Sequence, residues 1–432
     1  MNQSHTNMMS TIDLQIAERA RNYPDEPLTN LHGFIDEALL YESLEALNKT
    51  GAPGVDGQSW RAYHEDQYGR IPELLEAFKS GHYRAPKIRR TYIPKGNGKW
   101  RPLGLPTVED KVLQSGVSRV LTPVYEQLFY PNSYGFRPGK SQHQALEHLF
   151  GAVSFEGMCY VIDADMANYF GSIDHGWLRT FLDHRIKDGI IRRMIDKWLK
   201  AGILEAGRVS YPKEGTPQGG IISPLLSNIY LHYVLDEWFI ETIQPWLKGR
   251  SELIRYADDF LLLFAHRSDA ERVMAVLGKR LGQYGLSLNR EKTHLVELLD
   301  RKGPSRGSFD FLGFTHYMGR SRKGHRILKR KTSKKKLKAS LQRMNQWIRS
   351  HRDLPIEYLI GQLNRKLQGY YGYYGITFNA RALTYYHHQI RQMLYKWLSR
   401  RGAHKPMSWE VFEERILHYH PLQPPRIIHR FC

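Results

Sequence analysis

Two apolar runs, Leu253-Ile254 and Phe260-Leu261-Leu262-Leu263-Phe264, flank Tyr256-Ala257-Asp258-Asp259. That pattern predicts a β-hairpin with its turn at the two acids. A second strand-like run, Tyr160-Val161-Ile162, leads into Asp163-Ala164-Asp165 and then Met166-Ala167-Asn168-Tyr169-Phe170. Thr91 to Leu103 reads as another hairpin, with Lys95 at its turn and Arg101 beyond it. The spacing of apolar residues predicts a buried amphipathic helix from Val108 to Leu121, and further helices over Thr11–Asn22 and Leu39–Leu47. Gly51-Ala52-Pro53-Gly54-Val55-Asp56-Gly57 is a turn, and Phe309 to Phe314 a strand. Beyond Gly319, Leu337, Leu341, Met344 and Ile348 recur at helical spacing and mark one face of a helix. Strands interspersed with helices, then a helical end, give an α+β chain.

Charge changes the picture. A net +20 over 432 residues, with 41% hydrophobic content, describes a folded protein whose field draws polyanions. Nucleic acid is the leading partner. No apolar run is long enough to span a bilayer, and the first residues lack the basic and apolar regions of a signal peptide, so a cytoplasmic location is expected. Two cysteines, Cys159 and Cys432, provide neither a disulfide framework nor a cysteine zinc site.

Adjacent carboxylates at a strand tip repel each other, and a hard divalent cation reverses that cost. Asp is also an ordinary turn former, so the pair alone decides nothing. A third acid from the Asp163-Ala164-Asp165 run, brought near through a sheet, completes the usual architecture of a two-metal site. Residues at i and i+2 of a strand share a face, so Asp163 and Asp165 are equivalent on that ground. Gly215-Thr216-Pro217-Gln218-Gly219-Gly220-Ile221-Ile222-Ser223-Pro224-Leu225-Leu226-Ser227-Asn228 is a glycine-rich loop feeding a helix start.

Tyr256-Ala257-Asp258-Asp259 together with Asp165 and Phe170 resembles the catalytic core of a reverse transcriptase. The 215–228 string resembles group II intron, retron and diversity-generating enzymes more closely than retroviral ones. The resemblance implies a right-hand polymerase, with an antiparallel palm sheet in its fingers-palm domain, followed by an α-helical thumb or maturase X domain. It implies that Asp165, Asp258 and Asp259 hold two Mg²⁺ ions, with Mn²⁺ a substitute, and that the Met166 carbonyl assists. It assigns the ligand role to the acid five residues before an aromatic, Asp165, and makes Phe170 a steric gate favouring dNTPs; a core aromatic is the alternative. Lys95 and Arg101 grip the triphosphate, Gln218 lies near the incoming nucleotide, and Ala257 lies against the primer terminus. Lys292, in Leu286-Ser287-Leu288-Asn289-Arg290-Glu291-Lys292-Thr293, matches the lysine near the leaving pyrophosphate and is a candidate general acid. Arg137, in the loop Ser133 to Gly139, is either a template contact or a structural salt bridge.

The basic run from Arg320 to Lys338 and the tyrosine-rich stretch Gly361 to Ile376 resemble the maturase-specific thumb of group II intron proteins. Those tyrosines either pack the helices or stack on single-stranded RNA. The paired cysteines of an HNH endonuclease are absent from the sequence. The expected layout is a peripheral segment (1–27), an N-terminal extension with the start of the fingers (28–90), fingers-palm (91–316), thumb (317–400) and a short basic tail (401–432). The expected activity is RNA-directed DNA synthesis from a DNA or RNA primer with dNTPs on an RNA template, either a structured intron or an associated non-coding RNA. Alternatives are a splicing maturase that chiefly binds RNA, and a free-standing enzyme of DNA repair or phage defence; an RNA-directed RNA polymerase is disfavoured by Phe170 and the Tyr256–Asp259 turn.

Overall fold

The computed structural model describes residues 11–96, 99–205, 208–211, 214–215, 219–298, 307–401 and 407–431, with the Lys95 and Lys99 side chains outside the description. In chain order the elements begin with α1 (Thr11–Asn22), α2 (Glu37–Glu45), α3 (Trp60–Glu65), α4 (Gln67–Lys79), β1 (Ile88–Gly96) and β2 (Lys99–Leu105). Then come α5 (Val108–Tyr125), α6 (Gln142–Ser154), β3 (Tyr160–Ala164), α7 (His175–Asp183), α8 (Gly189–Leu199), β4 (Ile203–Glu205) and β5 (Arg208–Ser210). Next are α9 (Ser223–Leu231), β6 (Ser251–Tyr256), β7 (Asp259–Phe264), α10 (Arg267–Gln283) and β8 (His294–Glu297). Last are β9 (Ser308–Phe311), β10 (Phe314–Arg320), β11 (Arg326–Thr332), α11 (Lys334–His351), α12 (Ile356–Tyr374), α13 (Ala380–Leu398) and α14 (Trp409–Phe412).

Three sheets organise these elements. The first has the order β2-β1-β4-β5, with β1 antiparallel to β2 and parallel to β4. The second, β6-β7-β3-β8, carries the acidic residues; the third, β11-β10-β9, is antiparallel. The chain divides into two compact units, one of Met1–Ala145, Ile162–Leu262 and Arg267–Leu295, the other of Leu146–Val161, Leu263–His266 and Val296–Cys432.

In the first unit α5 is the central helix. Thr107 caps it by accepting from the Asp110 amide at 3.2 Å, and Val112, Leu113, Val117, Val120, Leu121 and Val124 are buried along it. The helix expected over Thr11–Asn22 is α1, which buries Ile16, Ala17 and Ala20 along one face. Arg185 donates to the carbonyls of Ala20 (2.8 Å), Tyr23 (2.7 Å), Pro24 and Glu26 (2.9 Å), satisfying the end of α1 and the segment after it.

In the second unit Met344, Ile348, Leu359, Leu363, Leu367, Tyr371, Leu383, Ile390 and Leu394 form one core across α11, α12 and α13. The predicted apolar stripe of α11 faces it. Among the described residues no helix is long and apolar enough to cross a membrane.

Candidate functional site

A two-residue link, Ala257-Asp258, joins β6 to β7, so the acids sit at a hairpin tip as the apolar runs predict. Ala257 is buried with φ +58°, a left-handed backbone that side-chain-bearing residues seldom adopt. Two devices hold it there. Arg255 donates to the Ala257 carbonyl at 3.2 Å, and Gly135 lies so close that a Cβ atom would stand 2.2 Å from the Ala257 nitrogen.

Arg255 is itself fixed. Fully buried, it donates to Asp236 Oδ1 (2.8 Å) and Oδ2 (2.5 Å) and to Asn228 Oδ1 (2.9 Å). Asn228 in turn donates to the Gly135 carbonyl at 2.7 Å. Asp236 stands where α9 widens into a π-helical segment, His232–Asp236. Burial pushes its carboxyl up against the pull of the Arg255 guanidinium. Burial, aided by Arg255 and Arg137, drives His232 down to about 3, so it is neutral at physiological pH. Arg137 is a structural residue: it is buried, donates to both Glu126 oxygens, and reaches the carbonyls of Tyr130 (2.6 Å) and Ser133 (2.8 Å).

Strand β3 lies beside β7, and Asp165 follows directly on its end while Asp163 lies within it. The chain from Leu286 to Thr293 is strapped alongside. Ala167 N donates to Ser287 O (2.9 Å), Asn289 N to Asp165 O (2.8 Å), and Met166 pairs with Leu288 in an isolated bridge. A turn over Asn289 then brings Lys292 Nζ to 2.6 Å from Asp165 Oδ2, which also accepts from Asn289 Nδ2 at 3.2 Å. Asp165 therefore already carries a cationic partner.

Among the described residues no three Asp, Glu, His or Cys side chains stand as a ready cation cage. The donors on offer, carboxylates and a backbone carbonyl, are hard oxygens of the kind Mg²⁺ takes. An ammonium, Lys292 Nζ, already stands on one of the Asp165 oxygens.

The glycine string ties two parts of the first unit together. Gly215 backs onto Phe170 and Gly171, where a Cβ would stand 2.9 Å from the Phe170 carbonyl. Gly219, at φ +113°, meets β2, where a Cβ would stand 2.3 Å from the Gly104 carbonyl. Gln218, between them, lies outside the described residues. Phe170 is half-buried in a short 3₁₀ turn, its ring edge-on to Tyr169 at 5.3 Å. Arg101 sits opposite Ile93 in the β1–β2 hairpin with an exposed side chain.

Several supporting residues escape a reading of motifs. Asp110, buried, accepts from Trp198 Nε1 (2.7 Å), Gln114 Nε2 (2.9 Å) and the Tyr83 hydroxyl (3.2 Å), and burial pushes it up to about 6. Gln114 passes the network to the glycine string by accepting from the Ile222 amide at 3.4 Å. A charged residue, Asp110, within the otherwise apolar face of α5 is the sequence signal that could have found it. Most of the tyrosine-rich stretch is packing: Tyr371 is buried, and the Tyr373 and Tyr374 rings lie 5.9 and 5.3 Å from Phe314.

Residues 93–316 match the family described as reverse transcriptase (RNA-dependent DNA polymerase), just over half of the chain, and residues 325–413 match the group II intron maturase-specific domain. Protein YkfC of Escherichia coli (strain K12) is 34% identical over 313 residues, covering 64% of this chain and 80% of the relative. The group II intron-encoded protein LtrA of Lactococcus lactis subsp. cremoris is 34% identical over 232 residues, 52% of this chain and 38% of its own. An uncharacterized 91 kDa protein in a cob intron of Schizosaccharomyces pombe is 35% identical over 254 residues, 58% of this chain and 31% of its own. The chain thus spans most of the first relative and about a third of the other two.

Proposed function

This chain belongs to the reverse transcriptase family and carries a group II intron maturase-specific domain, and from that premise we propose a mechanism for RNA-directed DNA synthesis at the Asp258–Asp259 turn. A primer 3′-hydroxyl attacks the α-phosphate of a dNTP in line, on an RNA template. Asp165, Asp258, Asp259 and the Met166 carbonyl would hold two Mg²⁺ ions, with Mn²⁺ a substitute, and the metal would supply a more acidic primer hydroxyl and charge neutralisation at the triphosphate. Lys95 and Arg101 orient the triphosphate from the fingers hairpin. Phe170 bars a ribose 2′-hydroxyl, Gln218 borders the nucleotide, and Ala257 rests against the primer end. Lys292, tethered to Asp165 by the Leu286–Thr293 strap, is the proton donor to the leaving pyrophosphate. Catalysis of this kind is chiefly positioning and charge stabilisation.

The observation that carries the reading is the firmly bonded turn leading into β7, the strand beside β3, whose end Asp165 directly follows. The matching test is primer extension on poly(rA) primed with oligo(dT), with Mg²⁺ present or chelated. Asp258→Ala/Asp259→Ala should lower synthesis by at least about three orders of magnitude, the scale on which loss of transition-state charge stabilisation acts. Folded wild type that extends no primed template would refute the polymerase.

Intron RNA is the further partner proposed, on the strength of the maturase-domain match. From residue 311 to 352 the chain holds 14 Lys and Arg and no Asp or Glu. Log affinity for RNA should fall linearly with log salt. The same reading divides the chain into a peripheral segment (1–27), an N-terminal extension with the start of the fingers (28–90), fingers-palm (91–316), thumb (317–400) and a basic tail (401–432), in a cytoplasmic protein.

A further inference from the structure

Phe170 occupies the middle of the 3₁₀ turn Tyr169–Gly171, which the chain enters through Asn168 at φ +47°. A left-handed backbone at a residue with a side chain persists only where its surroundings over-determine it. Here three holds do so. The Asn168 carbonyl accepts from the Gly171 amide at 2.9 Å, and a Cβ at Gly171 would stand 2.4 Å from Asn168 Nδ2. Gly215 backs the Phe170 carbonyl, and its own carbonyl accepts from the buried His175 Nε2 at 2.7 Å. From beneath, Tyr169 is buried, and its hydroxyl donates to the Ser227 carbonyl of α9 at 2.8 Å and accepts from Ser227 Oγ at 3.2 Å.

A ring that only filled the core would need no hydroxyl, and burying one is costly unless it is hydrogen-bonded. The next residue of α9, Asn228, holds Arg255 and the Gly135 carbonyl, and through them the Asp258 turn. Consecutive residues of one helix thus anchor the turn that carries Phe170 and the turn that carries the acids. We propose that Tyr169 is a positioning residue for sugar selection: its hydroxyl, held on Ser227, fixes how far the Phe170 ring stands from the acid turn, and so the room left beside the ribose C2′ of an incoming nucleotide. The inference rests on the reading of Phe170 as the sugar gate. A site of this kind must be held to within about 0.5 Å, so the support behind the ring matters as much as the ring.

Single-nucleotide incorporation by the full chain on poly(rA) primed with oligo(dT), with dUTP against UTP, tests it through the ratio of their kcat/KM. Phe170→Val should lower that ratio by up to about a hundredfold, the scale on which a pocket rejects an added hydroxyl. Tyr169→Phe keeps the ring and removes the anchor. It should lower the ratio about fivefold, the scale of one buried hydrogen bond, with the change in the KM for UTP rather than in kcat. In Tyr169→Phe/Phe170→Val the ratio should equal that of Phe170→Val alone, because the tyrosine acts only through the ring it positions. A purely structural tyrosine would slow both nucleotides alike. A Tyr169→Phe protein that discriminates like wild type, or whose effect adds in full to that of Phe170→Val, overturns the proposal and leaves the gate standing. An unchanged ratio in Phe170→Val removes the gate and the proposal with it.

Discussion

Among the described residues each unit buries one arginine completely, and the two are treated in opposite ways. Arg255 in the first unit has two carboxylate oxygens, an amide oxygen and a backbone carbonyl as acceptors. Arg330 in the second has no hydrogen-bond partner for any of its three nitrogens among the described residues. It lies between aromatic rings, 5.2 Å from Phe150 and 4.4 Å from Phe431, and burial pulls it down to about 9 against the weaker pull of Glu147. Arg255 is thus a positioning device for a strained turn. Arg330 is a charge kept in the interior at a cost that cation–π contact only partly offsets.

Removing the first should hurt most. Arg255→Met leaves Asp236 buried without a counter-charge, a loss of about 3–5 kcal/mol in chemical denaturation. Arg255→Met/Asp236→Leu should recover most of that stability, since a buried ion pair is replaceable by apolar packing. Primer extension should stay low in the double variant, because nothing then holds the Ala257 carbonyl. Recovery of both together would show that the network is only structural.

Acid sharpens the contrast next. His232 and His316 are both pushed down to about 3 by burial, each beside one of these arginines. A folded-state value below the unfolded one near 6.5 means that only the unfolded chain takes the proton. Each histidine therefore costs roughly 1.4 kcal/mol per pH unit as pH falls below about 6.5. In the first unit Asp110 works in reverse: raised to about 6, it takes its proton in the folded state first and adds stability between about pH 6 and 4. The second unit lacks such an offset among its described groups with shifted values. Hydrogen exchange, corrected for intrinsic pH dependence, should show protection lost first over β9–β11, and His316→Gln should delay that loss. Simultaneous loss in both units would break the comparison.

The smallest effect belongs to Arg330→Met. Substituting an unpaired buried cation with an apolar chain of similar length should leave the melting temperature unchanged or raise stability by up to about 2 kcal/mol. A loss above about 2 kcal/mol would show that the aromatic clamp outweighs desolvation.

These contrasts also mark what the sequence makes legible. The acid turn, the β1–β2 hairpin, α5 and α11 follow from local spacing, and each lies where its periodicity puts it. Arg255, Asp236 and Asn228 are 19 and 27 residues apart, and their meeting depends on a π-helical widening that no local pattern announces. Arg330 hides in the basic run from Arg320 to Lys338, where nothing local sets it apart from its neighbours. Its register explains the difference: Leu328, Arg330 and Thr332 share the inward face of β11, while Lys331, on the opposite face, is exposed. Gly361 to Ile376 is open between packing and stacking on its pattern alone, and the contacts with Phe314 and Tyr386 show Tyr373, Tyr374 and Tyr370 packed within the chain.

One close approach bears on how such a chain can vary over generations. At Gly135 the first carbon of any side chain collides with the Ala257 amide. In a saturation library selected for DNA synthesis, that codon should tolerate glycine alone. Gly151 in α6, where an added Cβ meets nothing within 4 Å, should accept alanine and gain up to about 1 kcal/mol of helix preference. Two glycines of the same chain would then stand at opposite ends of the mutational spectrum, one closed to drift because the acid turn leans on it, the other free to wander.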